Sequence, residues 1–380
     1  MIAPLELDVA RAARSGQIEA RTFVLRLSRP IVTARGRIEE RVGFEVRIRD
    51  GVRVGLGEAT ILPELGTETF AECEAALRSG RLEGTRAARH GVEQALLDLE
   101  AQRRGVPLAR LFEPSAPLQV PVSALLTALG AKELAREAQD AAEAGFGTVK
   151  LKVGHGALED DYARACVVRD AVGPRVLLRL DANGAWTPEE ALTALRKLAP
   201  LGIELCEQPV APGRLLELRG LLRGELRGLL RGEGREELRI AGVPIAADES
   251  MATEPEVALH CAEFIVLKPM LLGGLRTALL WARRAQVLGR KVVVTSSLDG
   301  AIARAGAAHL AAALQCYGPQ PAAGLATGGF FAGLLDPLAP RNGTITLPDV
   351  PGLGLRVGSS GLPESARGST PILVTAPRLR

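Results

Sequence analysis

Seven short apolar runs, separated by stretches of helical periodicity, fill the chain from about residue 118 to residue 297. They read LQVPVSAL, GTVKLKV, RVLLRLDA, IELCEQ, IAADES, FIVLKP and KVVVTSS. The intervening segments include LEDDYARACVVRDAV, TPEEALTALRKLA and GLRTALLWARRAQVLG, and AIARAGAAHLAAAL follows the last run. A Val/Ile/Leu run followed by a helical segment is the pattern of a βα unit, and parallel strands require such crossovers. A regular succession of them predicts closure into a (β/α) barrel. An open doubly wound sheet competes, but no GxGxxG follows any of these strands to favour it.

The first third reads differently. IEARTFVLRLS, RVGFEVRIRD and VRVGLGEA are strand-like, and alternation from Phe44 to Arg49 suits a half-exposed antiparallel strand. Asp50-Gly51 predicts a hairpin turn. Two helices are predicted near residues 67–79 and 88–104, making an α+β unit. The expected fold is therefore α/β, a modified TIM barrel over residues 118–334 with an α+β capping domain over residues 1–117. The Pro/Gly-rich tail 335–380 is expected to rejoin the cap or run over the surface. Residues 30–43 and 60–68 are expected to close over the barrel mouth as cap loops. The octapeptide LRGLLRGE at 218–225 recurs at 226–233. A period of eight keeps no apolar stripe on a 3.6-residue helix, so the repeat reads as a surface insertion, with a basic docking surface as the alternative.

Composition removes several function classes. A net charge of +3 on 380 residues and 3% aromatics give no case for nucleic acid. No apolar run is long enough for a membrane span, and the N-terminus lacks the pattern of a signal peptide. Cys73, Cys166, Cys206, Cys261 and Cys316 are scattered without a CxxC, as in a cytoplasmic protein with reduced thiols. The four histidines are dispersed, which argues against a His-rich zinc site.

Barrel chemistry sits where strands end, because the loops there share one mouth. Five consecutive runs end in charge: Lys150 and Lys152, Asp181, Glu207, Asp248 and Lys268. Alone, each has an ordinary explanation as a cap, an ion-pair partner or a solvated strand face. In series they describe three carboxylates flanked by lysines. Carboxylates without His or Cys suit Mg²⁺, with Mn²⁺ as a substitute. Lys150 and Lys152 share a strand face, and two cations side by side near a metal ion should lower each other's pKa and favour a neutral lysine that can accept a proton.

With these motifs the chain resembles the enolase superfamily, in its muconate-lactonizing-enzyme-like subgroup. The likeness extends to the Gly55-Leu56-Gly57-Glu58-Ala59 turn, ALLDLEAQRRGVPLARLF, LKP followed by Gly273-Gly274, and PDVPGLGL. The resemblance implies that Asp181, Glu207 and Asp248 hold Mg²⁺ and that Lys152 and Lys268 face opposite sides of a substrate α-carbon. It further implies that Lys150 tunes Lys152, while Asn183, Glu249 and Ser297 surround the ligands or contact substrate. TSSLDGAIARAGAAHLAAAL and AAGLATGGFFAGLL look most like the o-succinylbenzoate synthase family of menaquinone biosynthesis. Dipeptide epimerases of the subgroup usually carry Asp-x-Asp where this chain has Gly324-Leu325-Ala326-Thr327.

The resemblance thus implies removal of a proton next to a carboxylate and then dehydration, with a small-molecule carboxylate as substrate. Racemisation of N-acylamino acids or dipeptides is the alternative, and muconate cycloisomerisation is a third. A barrel-shaped binding protein without activity is the reading from another class. Symmetric self-association is the default expectation for its assembly.

Overall fold

The computed structural model describes residues 18–33, 36–230, 242–355 and 372–373. The N-terminus read for a signal peptide and the end of the second octapeptide lie outside these residues.

Strands β1 (Ile18–Thr33), β2 (Gly36–Asp50) and β3 (Arg53–Thr60) form an antiparallel meander. The β2–β3 turn falls where Asp50-Gly51 predicts it, with Asp50 paired to Arg53 and Gly51 at φ 58°. Residues 30–33 and 36–43, expected as part of a loop, instead belong to strands β1 and β2, where Ile31 pairs with Ile38. Helices α1 (Phe70–Ser79) and α2 (Ala87–Arg104) accompany the sheet. Thr69 caps α1 in a reciprocal box with Glu72, which places its start after residue 67. Phe44, Val46 and Ile48 of β2 and Val92, Ala95 and Leu99 of α2 share one buried cluster.

After α3 (Leu108–Phe112) and β4 (Gln119–Pro121) comes the barrel. Its strands are β5 (Ala124–Leu126), β6 (Thr148–Lys152), β7 (Leu177–Asp181) and β8 (Ile203–Glu207), then β9 (Ile245–Ala247), β10 (Phe264–Leu267) and β11 (Lys291–Val294). They pair in that order, every pair parallel. At the eighth position of the ring, Ala323-Gly324 bridges the gap between β11 and the residues before β5. Ser123 N donates to Ala323 O (2.9 Å) and Gly324 N to Val294 O (2.9 Å), closing the ring. This Ala/Gly segment has little β propensity, and two residues suffice.

The crossovers are α4 (Ala131–Glu143), α5 (Leu158–Val172), α6 (Pro188–Leu198) and α7 (Leu215–Leu230), followed by α8 (Glu249–Thr253), α9 (Pro255–Cys261), α10 (Leu275–Val287) and α11 (Ala301–Leu314). Helix α6 begins as its sequence requires, with Thr187 and Glu190 in a capping box and Pro188 in the first turn. Helix α11 is buried almost all round, as a nearly uniformly apolar helix must be.

The octapeptide reading needs correction. Helix α7 contains the whole first copy and continues into the second. Leu215, Leu218 and Leu222, at i, i+3 and i+7, give it an apolar stripe, with Leu215 and Leu218 in the main core. Arg219 pairs with Glu263 at 2.6 Å. The first copy is thus the crossover helix itself, not an insertion outside it.

The described part of the tail returns to the sheet and the core and does not simply run over the surface: Ile345, Leu347 and Leu353 are buried in the main cluster. Strand β12 (Thr344–Thr346) pairs antiparallel with β4, and β13 (Ile372–Leu373) pairs with Glu19 and Ala20 of the cap. All five cysteines are free thiols. Among the described residues no helix is long and apolar enough to cross a membrane.

Candidate active site

The carboxyl ends of β6 to β10 bring the six charged residues to one mouth. Lys152, Asp181 and Glu207 stand level, because Lys152 pairs in register with Asp181 and Asp181 with Glu207. Asp248 follows β9 and Lys268 follows β10. In a ring of eight positions β6 and β10 are four apart, so Lys152 and Lys268 enter from opposite sides. The three carboxylates occupy the strands between them.

Each carboxylate takes an ammonium as counter-ion. Lys150 Nζ lies 3.0 Å from Asp181 Oδ2 and donates to Glu207 Oε1 at 3.2 Å. Lys152 Nζ lies 3.4 Å from Asp181 Oδ2 and donates to Asn183 Oδ1. Lys268 pairs with Asp248. Burial would raise the Asp181 pKa, but Lys150, Lys152 and Lys268 outweigh it and hold the carboxyl well below its usual range. Glu207 is pushed up to about 7 by burial and by the charges of Asp181 and Asp248, with Lys150 opposing. Burial likewise raises Asp248. The lysines were expected to depress one another beside a metal ion; the protein's own charges act in the other direction at Lys150. Burial would lower its pKa, but Asp181, Glu207 and Asp248 raise it above the ordinary lysine value. Lys268 is raised in the same way, chiefly by Asp248.

The mouth is held by a frame in which Asn183 and Glu249 were expected and Gln208 was not. Gln208, fully buried, accepts from Asp248 N (3.0 Å) and Ser250 N (3.2 Å). Its amide donates to Val210 O (2.7 Å) and Ser250 Oγ (2.9 Å), tying the end of β8 to the end of β9. Asn183 Nδ2 donates to Glu249 Oε1 at 3.2 Å, and Glu249 Oε2 is buried without a partner. Asn183, Gln208 and Leu298 all have positive φ (47°, 40° and 58°), a concentration of backbone strain at one mouth.

A cavity of about 570 Å³ opens above these groups. Lys150, Lys152, Asp181, Asn183, Glu249, Lys268 and Ser297 line it, and Ser297 Oγ is buried without a partner. Glu207 and Asp248 lie behind this lining, on Lys150 and Lys268. The cap contributes Ile31, Arg37–Arg41, Leu62, Glu64 and Leu65, so both predicted cap segments reach the site. Arg41 was missed: it is 4% exposed, and its Nε and Nη2 lack partners. On the strand it is one more alternating charge, with no local signal.

The donor set suits a hard divalent cation, since it offers only carboxylate oxygens on adjacent strand ends. The unpartnered Glu249 Oε2 adds another oxygen beside them. The expected cage is not drawn together, however. Among the described residues no three Asp, Glu, His or Cys side chains form one coordination shell. Lys150 stands between Asp181 and Glu207, and Lys268 engages Asp248.

Comparison with known proteins gives matching likenesses. The family description "Enolase C-terminal domain-like" matches residues 133–360. The L-Ala-D/L-Glu epimerase of Bacillus subtilis (strain 168) is 30% identical over 374 residues, 89% of this chain and 96% of the relative. The o-succinylbenzoate synthase of Thermobifida fusca (strain YX) is 38% identical over 202 residues, 51% of this chain and 56% of the relative. Among solved structures, a dipeptide epimerase from Enterococcus faecalis V583, complexed with Mg and the dipeptide L-Leu-L-Tyr, superposes with TM-score 0.75 at 27% identity. That match covers 89% of this chain and 98% of the other.

Proposed function

Since the chain belongs to the enolase superfamily, in its muconate-lactonizing-enzyme-like subgroup, we propose that it racemises or epimerises an amino-acid derivative at the carbon next to a carboxylate. The observation that carries this reading is the placement of Lys152 and Lys268 on opposite sides of the mouth. A proton must leave one face of the α-carbon and return to the other, so each lysine serves as base toward one enantiomer and acid toward the other. The synthase emphasis drawn from sequence becomes the second reading, because the likeness that covers 89% of the chain is to an epimerase, whereas the synthase likenesses cover 51% and 64%.

Asp181, Glu207 and Asp248 would hold Mg²⁺, which supplies charge stabilisation for the substrate carboxylate as the α-proton leaves. Gln208 keeps the strand ends carrying Glu207 and Asp248 at fixed spacing. Asn183 and Glu249 orient Lys152 from its side of the mouth. Lys150 is engaged by Asp181 and Glu207, leaving proton transfer on that face to Lys152.

The wall at 324–327 narrows the substrate. Gly324, Ala326 and Thr327 line the cavity and offer no carboxylate to a free α-ammonium. This supports an N-acylated amino acid over a dipeptide with a free amino end. The same wall is what favours the second reading, one-face dehydration of 2-succinyl-6-hydroxy-2,4-cyclohexadiene-1-carboxylate.

A panel of N-acylamino acids, dipeptides and the cyclohexadiene carboxylate, each turned over in D₂O with Mg²⁺, tests the proposal. Deuterium at the α-carbon of an N-acylamino acid, with loss of optical activity, is the expected result. A higher kcat/KM for dehydration, without α-exchange on any amino-acid derivative, would give the site to the synthase reading.

A further inference from the structure

Glu58 lies in the GLGEA segment, which the sequence suggested as a turn and which is part of strand β3; it has no part in the chemistry above and is 2% exposed. Two glycines bring it into place. A Cβ on Gly57 would lie 1.8 Å from Gly91 O and one on Gly55 2.0 Å from Ala95 O, so only glycine lets β3 sit this close to α2. Glu58 is thereby carried past the edge of the cap to the start of barrel helix α11. Its Oε1 accepts from Gly300 N (2.6 Å) and Thr60 Oγ1 (2.6 Å), and its Oε2 from Ala303 N (3.1 Å). Gln94 reinforces the joint, accepting from Glu58 N (3.2 Å) and donating to Ile302 O (2.6 Å).

The segment that Glu58 grips runs directly into the cavity wall. Thr295, Ser296, Ser297 and Leu298 line the cavity, and Leu298 is held at φ 58°. Asp299 follows, fully buried, with Oδ1 unpartnered and Oδ2 accepting from Ser297 N at 3.0 Å. A carboxylate capping a helix N-terminus makes charge-assisted bonds to otherwise unsatisfied N–H groups. Here the cap comes from the other layer of the molecule, across 242 residues of sequence.

We propose that Glu58 is a positioning residue for substrate binding: it fastens the Thr295–Gly300 wall to the capping sheet, so that cap and barrel present the cavity as one surface. The groups facing this joint are Asp299 and Lys268 from the barrel and Arg41 and His90 from the cap. Burial, with Asp299 adding to it, pushes the Glu58 carboxyl up to about 7.

The test compares Glu58→Gln with Asp98→Asn in the full chain with saturating Mg²⁺. Asp98 is an equally buried post on α2, accepting from Leu56 N (2.8 Å) and Leu353 N (2.7 Å), and it does not line the cavity. Both amides remove one acceptor, so both lower the melting temperature. Only Glu58→Gln should raise KM for N-acetyl-L-methionine, by about tenfold with kcat within about threefold, as expected for lost uniform binding. Hydrogen exchange at the Gly300 and Ala303 amides should accelerate in Glu58→Gln and not in Asp98→Asn. Thr60→Val, which deletes only the hydroxyl bond, should move KM and exchange the same way by a smaller factor, and it carries the test if Glu58→Gln does not fold. The kinetic arm rests on the racemase reading; the exchange arm does not. Unchanged exchange at Gly300 and Ala303 in folded Glu58→Gln or Thr60→Val would overturn the proposal whatever the substrate. So would an Asp98→Asn variant whose KM rises as far as that of Glu58→Gln.

Discussion

Replacing each opposed lysine by methionine should split the reaction into its two faces. Methionine approximates the lysine stem without its charge, so packing at the mouth is largely kept. General acid–base catalysis contributes about 10²–10⁴-fold, so racemisation should fall at least about 100-fold in both directions in Lys268→Met and in Lys152→Met. Exchange is different, because the surviving lysine still removes the proton that faces it. The structure also sets a stability cost. Lys268 is the counter-ion of buried Asp248, and removing one member of a buried pair costs about 3–5 kcal/mol. That is a large share of a typical 5–15 kcal/mol stability, so folding is checked by circular dichroism before each assay. The assay follows loss of the α-proton signal in D₂O by NMR, starting separately from each enantiomer of an N-acylamino acid with Mg²⁺. Lys268→Met should exchange one enantiomer only and Lys152→Met the other only. Exchange of the same enantiomer by both variants, or near-normal racemisation by either, would refute the two-face reasoning.

Three further outcomes follow from the structure. Chelation should abolish turnover and added Mg²⁺ or Mn²⁺ restore it, Zn²⁺ less well; full activity in excess chelator would remove the metal role of Asp181, Glu207 and Asp248. Leu218→Ala should cost about 2–5 kcal/mol in denaturant unfolding and the exposed Leu216→Ala under about 0.5, whereas equal small losses would return the octapeptide to the surface. His309 accepts from Ala109 N on Nδ1 and so offers Nε2–H to Leu353 O, which fixes the neutral ring. Burial pushes its pKa down to about 4 from 6.5. The unfolded chain then binds more protons between these values, so stability is full above pH 6.5 and falls by about 3 kcal/mol as pH drops toward 4. His309→Gln should flatten that part of the melting-temperature profile, and an unchanged slope would locate the titration elsewhere.

Much of the barrel could be read from the chain because strand–helix alternation is a local property. LEDDYARACVVRDAV and AIARAGAAHLAAAL became helices over the residues their periodicity marks. The charged ends of β6 to β10 were legible for the same reason: a carboxylate or ammonium closing an apolar run stands out wherever the chain later goes. Their meeting at one mouth follows from the fold class, since parallel strands put all their carboxyl ends on one side. The octapeptide misled because its own period of eight drew attention from the stripe that Leu215, Leu218 and Leu222 make across its boundary.

Tertiary structure decided what depends on distance between remote residues. That Lys150 would be raised, not lowered, in pKa required its approach to Asp181 and Glu207 on neighbouring strands. Arg41 and Gln208 had no signature, and the Gly55–Ala59 motif marked Glu58 without its partner, because a charge or amide in a strand looks the same whether it meets water, a cavity or a helix end. The sequence determined the kinds of groups available and the side of the barrel they would share. Their protonation, the roof above them and the joint that fastens roof to wall were decided by folding. Those properties depend on burial and on Coulomb interactions over a few ångströms, and neither is defined until the chain is packed.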